Sequence, residues 1–336
     1  MPLTKNTKVV KLNDGNEIPV IGLGTFRSGP NEVYQAVLDG IKAGVRHIDT
    51  AYAYGNEEEI GTALTQAFKE GLVKREELFI TTKMWGVDYA DPESAIKLSL
   101  KKLQLDYVDL YMIHWPVALT KKFDAAGNVV NVSYLPNGKR DLDHSNNFVK
   151  TWTYFQDLVA KGLTKSIGVS NFTIAKLTEL LAAPTTKIVP CVNQIEAHLY
   201  LLQPELLAFC KSKGIHVEAH TPLGGADAAE LLKNPVIVEL AKKYQASSAQ
   251  ILISWALWRG TIVLPKSVKA ERIHDNLFTV ELSNEDGEKI NAIGKNAQKR
   301  FVNPDWSPFI VFDDDEKHGV VGASGWKNPN PTTVSN

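Results

Sequence analysis

The chain reads as one closed α/β domain, a (β/α)8 TIM barrel with an N-terminal β-hairpin and an irregular C-terminal tail. The core covers residues 9–301 and the tail 302–336. Three observations predict it. From residue 18 onward, eight β-rich stretches each precede apolar residues at helical spacing, the alternation that builds a parallel sheet wrapped in helices. Composition does not shift along the eight units, so nothing marks a second domain. The competing open sheet commonly carries Gly-x-Gly-x-x-Gly after a strand; here Gly22-x-Gly24 is incomplete and Gly224-Gly225 lacks the rest.

Ahead of the barrel, residues 8–19 alternate and turn at Asn13-Asp14-Gly15, a hairpin placed to plug or cap one end. The first strand, 18–26, is broken by Gly22 and Gly24, and a helix follows through Val33, Val37, Leu38 and Ile41. Strand 45–49 ends at Asp49, and helix 57–69 keeps Ile60, Leu64 and Phe68 on one face. Strand 78–83 ends at Lys83; Pro92 then opens a helix with Ile96, Leu100 and Leu103 along one side. Strand 108–113 runs into His114. The pattern lapses until about residue 147, a loop length that in a compact domain goes with function or motion. It resumes with helix 148–161, strand 166–169, helix 174–181, strand 188–192, helix 204–213 and strand 215–219. A helical region over 235–258, a last strand 261–264 and a helix 270–277 complete the repeat. Beyond Phe301 the tail is rich in Pro, Gly and acidic residues with scattered aromatics, which suits a segment draped over the barrel and frayed at its end.

Three successive strands thus stop at an ionisable residue. In a parallel barrel, Asp49, Lys83 and His114 gather at one end, where such folds place their chemistry, with Tyr54 close behind Asp49. An acid, a phenol, an amine and an imidazole together form a proton-transfer set. A net charge of −1 provides no broad basic field for nucleic acid or an anionic membrane. Cys191 and Cys210 lack metal-ligand or redox spacing and are expected to be reduced and buried. With no apolar leader and no membrane-length apolar run, the expected location is cytoplasmic. With no heptad or long apolar edge strand, the expected state is a monomer.

Taken together, Gly-Leu-Gly-Thr at 22–25, Asp49 with Tyr54, Lys83, His114-Trp115-Pro116, Gly-Val-Ser-Asn-Phe at 168–172, Asn193-Gln194, Pro222-Leu223-Gly224 and Pro265-Lys266-Ser267 resemble the motifs of the aldo-keto reductase family in kind and in order. Within it the chain is similar to fungal carbonyl reductases that include glycerol dehydrogenases and α-keto amide or ester reductases.

The resemblance implies an NADP-dependent oxidoreductase acting on CH–OH groups, which uses NADPH/NADP+ to reduce aldehydes and activated ketones. Tyr54 would be the general acid. Lys83, charged and held by Asp49, would lower the phenol from its ordinary value of about 10, and His114 would orient the carbonyl. No metal is implied. Ser170, Asn171 and Gln194 would bind the nicotinamide carboxamide, with Gly24, Thr25, His220, Thr221 and Leu223 beside the cofactor. Lys266, Ser267 and Arg272, with Asn276 one turn on, would take the additional phosphate of NADPH, with Val268 beside the cofactor, and Glu271 the adenine amine. Phe26, Trp85, Trp115 and Trp306 would join His114 in lining the pocket for a small-molecule carbonyl substrate.

Two departures from the family pattern stand out. His220 replaces a tyrosine that commonly stacks on the nicotinamide, and Phe26 replaces a common tryptophan. The segment 224–231 is also shorter than the cofactor strap of some relatives, which implies fast cofactor exchange. Two other classes compete: an NADPH-binding barrel idle in catalysis, serving as a redox sensor or regulatory subunit, and a metal-dependent barrel hydrolase. The intact Asp49, Tyr54, Lys83 and His114 set disfavours the first. The second needs a His/Asp ligand cluster that the sequence does not display.

Overall fold

A computed structural model of the protein describes residues 2–225, 228–296, 298–313, 315 and 321–322. Eight parallel strands follow one another in chain order: β1 (Leu23–Gly24), β2 (His47–Asp49), β3 (Phe79–Met84), β4 (Val108–Ile113), β5 (Thr164–Ser170), β6 (Val192–Glu196), β7 (His216–His220) and β8 (Ile262–Val263). Bridges Ile21 to Val263 and Gly24 to Lys266 join the last strand to the first and close the barrel. β3 and β4 are buried along their whole length, polar Thr81, Thr82, Lys83 and Asp109 included. At the seam the backbones come close, and Gly22 permits it: a Cβ there would stand 2.6 Å from Leu264 Cδ2 and 2.7 Å from His47 Nδ1.

The helices α1 (Glu32–Ala43), α2 (Glu57–Lys69), α3 (Pro92–Leu103), α4 (Phe148–Ala160), α5 (Ile174–Ala182) and α6 (Pro204–Ser212) follow the first six strands. α3 starts as its sequence dictates, with the Asp91 side chain accepting from Ser94 N–H and Pro92 in the first turn. A short α7 (Ala228–Leu232) comes after β7. The helical region expected over 235–258 is two helices, α8 (Pro235–Tyr244) and α9 (Ser248–Trp258). Gln245 adopts a left-handed backbone that ends the first, and Ser247 with Gln250 forms a capping box that starts the second. After α10 (Ala270–Asp275) an unanticipated helix, α11 (Asn284–Asn296), packs on α8 and α9.

The strand limits depart furthest from those the sequence suggests at the first and sixth strands. Ile18 belongs to the N-terminal hairpin, Val9–Lys11 paired with Glu17–Pro19. The sixth strand begins at Val192, not 188, because Pro190 has no N–H to give a ladder. Ile188 spends its own N–H on Gln156 Oε1 and its carbonyl on Trp152 Nε1. The hairpin does plug the lower end of the barrel. Leu12 and Ile18 pack with Phe79, Leu110, Met112, Cys191, Val192 and Ile262, while Asn13 Nδ2 donates to the Pro190 carbonyl at 3.0 Å.

Opposite the plug, the loop after β4 folds into a small antiparallel pair, Lys122–Phe123 with Val129–Val130. The tail crosses the same end. It is fastened where Phe301 and Val302 N–H donate to the two Glu196 carboxylate oxygens at 2.6 and 2.8 Å, and again where Arg300 pairs with Asp315. The expected fraying falls on 323–336, outside the described residues. Both cysteines are buried and free, and no helix among the described residues is long and apolar enough to cross a membrane.

Candidate active site

Asp49 closes β2, Lys83 is the penultimate residue of β3, and His114 follows β4, so parallel register brings all three to the open end. Tyr54 sits on the single turn Tyr52–Tyr54 directly after β2. That turn is pinned from inside: Asn56 Nδ2 donates to the Thr25 carbonyl at 2.9 Å, and Thr50 Oγ1 donates to Asn56 Oδ1 at 3.0 Å.

Lys83 Nζ donates to both Asp49 oxygens at 2.8 and 2.7 Å and to the Thr50 carbonyl at 2.8 Å, and lies 3.3 Å from the Tyr54 hydroxyl. Three N–H bonds face four acceptors, and the phenol has the longest contact. Burial works against the ammonium, but Asp49 and Tyr54 outweigh it and raise Lys83 above its ordinary value. It is a cation throughout the physiological range. Tyr54 departs from the sequence expectation. Burial pushes its phenol up to about 12, and the attraction of Lys83 offsets only part of that rise, with Asp49 opposing it. Tyr54 is therefore a firmly protonated phenol in the free protein.

His114 is nearly enclosed, and burial, then Lys83 and His220, depress its pKa far below the usual imidazole value. It is neutral and carries one N–H. Nδ1 is buried without a hydrogen-bond partner. Leaving a bare lone pair unmatched is cheaper than stranding an N–H, so the proton belongs on Nε2. Around this group stand the aromatic side chains expected for the pocket. Phe26 lies 4.9 Å from Tyr54 and Trp85 5.4 Å from His114, ring centre to ring centre. Trp306 from the tail meets Trp115 at 5.3 Å and Trp85 at 6.1 Å. Arg140, from the loop after β4, covers the Trp306 ring at 4.0 Å.

The residues singled out for a cofactor also converge. Gly24 pairs with Asp49 on one side and Lys266 on the other, so the ends of β8, β1 and β2 are contiguous. Thr25 Oγ1 donates to the Asp49 carbonyl at 2.9 Å. Ser170 pairs with Gln194 across β5 and β6 and donates to its carbonyl. Asn171, in left-handed backbone, donates through Nδ2 to the His114 carbonyl at 2.9 Å. His220 faces Asn171 Oδ1 at 3.3 Å through Nε2 and Thr221 Oγ1 at 2.9 Å through Nδ1, which makes Nε2 the donor. Leu223 and Val268 are half-buried, Ser267 and Asn276 are buried, and Lys266, Glu271 and Arg272 are exposed after the last strand. Residues 226–227 of the short strap segment lie outside the described residues.

Residues 20–295 match the Aldo/keto reductase family. The chain belongs to the aldo/keto reductase family. This member is 49% identical to glycerol 2-dehydrogenase (NADP(+)) of Saccharomyces cerevisiae, over 93% of the chain and 100% of the relative. It is 48% identical to aldehyde reductase YPR1 of the same yeast, again over 93% and 100%. Among solved structures it resembles the aldose reductase of Schistosoma japonicum, with a TM-score of 0.79 and 39% identity over 85% of this chain and 91% of that one. As an aldo/keto reductase it is an oxidoreductase of carbonyl and alcohol groups that uses a nicotinamide cofactor. The donor set fits such a cofactor: buried amides and a hydroxyl beside Asp49, and exposed cations with Ser267 at the far end.

Sequence reasoning missed two buried acids of this reductase. Glu196 ends β6, where burial would raise its carboxyl, but His198 and Arg300 hold it down at about 2. Glu218, in the middle of β7, lies beneath Gln194 with no exposed surface. In sequence each is a single acid in a mostly apolar stretch. Only strand register reveals where it points.

Proposed function

We propose that the protein reduces aldehydes and activated ketones, including keto esters and keto amides, to alcohols with NADPH. The observation that carries this is the Tyr54 hydroxyl, protonated and 3.3 Å from a buried ammonium, at the foot of an aromatic wall beside His114. NADPH, when bound, would supply the hydride for the carbonyl carbon. The chain's own residues handle the oxygen. His114 Nε2–H donates to it and fixes the carbonyl, and Tyr54 delivers the proton as negative charge develops. Lys83 then sits beside the phenolate that remains, in a site where charge is poorly screened. The low proton affinity that Lys83 cannot give the resting phenol thus matters after transfer. Asp49 keeps Lys83 charged and aimed.

Lys266, Ser267 and Arg272, with Asn276 one turn on, would take the 2′-phosphate that separates NADPH from NADH, and Glu271 the adenine amine. Ser170, Asn171 and Gln194 would hold the carboxamide. The names of the yeast relatives, an NADP(+) dehydrogenase of glycerol and an aldehyde reductase, support the same chemistry. Phe26, Trp85, Trp115 and Trp306 favour substrates with an apolar face over fully hydroxylated sugars.

The deciding measurement is steady-state NADPH oxidation with aromatic aldehydes and α-keto esters, run beside Tyr54→Phe. The expected loss of kcat in the variant is ~10²–10⁴-fold with NADPH affinity retained, the range for a general acid. Wild-type-like turnover by Tyr54→Phe would remove the acid assignment.

A further inference from the structure

The interior of the barrel holds a polar column beneath the proton-transfer residues. Its centre is Glu218, fully buried. One oxygen, Oε2, accepts from Gln194 Nε2 at 2.5 Å, and the same amide nitrogen donates to Asp49 Oδ2 at 2.8 Å. Gln194 therefore ties Glu218 to the acid that holds Lys83. The other oxygen, Oε1, has no hydrogen bond and faces His47 Nε2 at 3.5 Å.

The tautomer of His47 decides what Glu218 must be. His47 Nδ1 stands 3.2 Å from the Pro19 carbonyl, which only accepts, so Nδ1 carries the hydrogen. Nε2 is then a lone pair, met from one side by the Thr81 hydroxyl at 3.3 Å. A carboxylate oxygen facing that lone pair would be repelled. A carboxylic acid O–H would be attracted. The charged and titratable groups around Glu218 are His47 and Asp49 from β2, Lys83 from β3, Tyr54 beyond it, Cys191 ahead of β6, and His216 and His220 at the two ends of its own strand; its β8 partner, Ile262, is apolar. Only Lys83 among these is a nearby cation, and Asp49 already holds it.

We propose that Glu218 is a positioning residue of the reaction centre that works as a neutral acid: with its proton on, Asp49 and Lys83 balance beneath Tyr54, and its ionisation in alkali leaves the centre negative and Tyr54 a poorer proton donor. Burial and Asp49 push Glu218 up to about 8, while burial takes His47 down to about 4, so both are neutral between those values. A charged Glu218 raises the Tyr54 phenol further. This inference rests on Tyr54 being the acid.

The first test is infrared spectroscopy of the free protein. The C=O stretch of a buried carboxylic acid should be present near neutral pH, fade as pH passes about 8, and be missing from Glu218→Gln. The second is the pH profile of reductive kcat. Wild type should lose turnover through the same region, and Glu218→Gln, an isosteric mimic of the protonated acid, should stay level there. A purely structural glutamate would change the height of the profile and keep the bend. An ionised carboxylate near neutral pH, or an unchanged bend in Glu218→Gln, overturns the proposal. The infrared result needs no turnover, and the variant separates the Glu218 band from that of Glu57, another buried carboxyl whose proton affinity burial raises. If Tyr54→Phe remains active while the carboxylic acid band is present, the acid assignment fails and Glu218 is still a neutral acid.

Discussion

Lys83 is the residue whose loss the site tolerates least. It has no exposed surface, and Lys83→Met would leave Asp49 buried with Gln194 as its one side-chain donor among the described residues. Stranding a buried charge costs roughly 3–5 kcal/mol, so denaturant melts should show that loss together with abolished turnover. The double variant Lys83→Met with Asp49→Asn should recover much of the stability and none of the activity, because the two residues act as a unit. The gathering of Asp49, Lys83 and His114 at one end was legible in the sequence, since each interrupts a β-rich run at its end. Tyr54 was legible by its distance from Asp49, but its proton affinity was not. The sequence shows a lysine near a phenol. It does not show three other acceptors competing for that lysine's hydrogens, or the burial that outweighs it.

At the scale of elements, close backbone contacts and strand-end fastenings matter more than propensity. Gly61 lies where α2 crosses α3, and a Cβ there would stand 2.3 Å from the Lys102 carbonyl oxygen. Gly61→Ala gains about 1 kcal/mol in helix propensity, yet the backbone it meets cannot yield. A net destabilisation of ~1–3 kcal/mol with unchanged kcat is expected, read by urea melts and steady-state kinetics. The Glu196 carboxylate takes three donors, Phe301 N–H, Val302 N–H and His198 Nε2. An amide there has one acceptor oxygen. Glu196→Gln should loosen the start of the tail, moving Trp306 off Trp115 and raising KM for aromatic substrates while NADPH affinity is kept. The elements the sequence mislaid have local causes. Pro190 hid where β6 starts because the apolar run spans both loop and strand. α11 was obscured by Gly287 and Gly294, which suit its contacts with Trp258 and Leu202 and weaken its helical signature.

For the whole molecule, two buried acids at adjoining strands pull stability in opposite directions with pH. Glu196 is held below its unfolded value of 4.5, so the stability it adds is complete above that value and drains as pH falls toward about 2. Glu218 is held above its unfolded value of 4.5, so the fold keeps a proton the unfolded chain has lost. Stability therefore declines as pH climbs from 4.5 to about 8. Urea midpoints of the wild type should fall across that window, and those of Glu218→Gln should fall less. The barrel itself was legible because eight alternations leave few alternatives, whereas its closure was not: β1 and β8 are two residues each, and the seam is made of bridges, one of them through Gly24, beside Gly22 and Pro265. The lower plug has one more consequence. Thr4 pairs with Thr279, Asn13 reaches Pro190, and the Lys11 carbonyl meets His216. A ribosome that has made half the chain therefore holds a hairpin with Phe79, Leu110 and Met112 in place and its other partners not yet written. Synthesis and docking run in opposite order, and the plug stays incompletely covered until Cys191, Val192 and Ile262 have been added. A segment made early is among the last to settle.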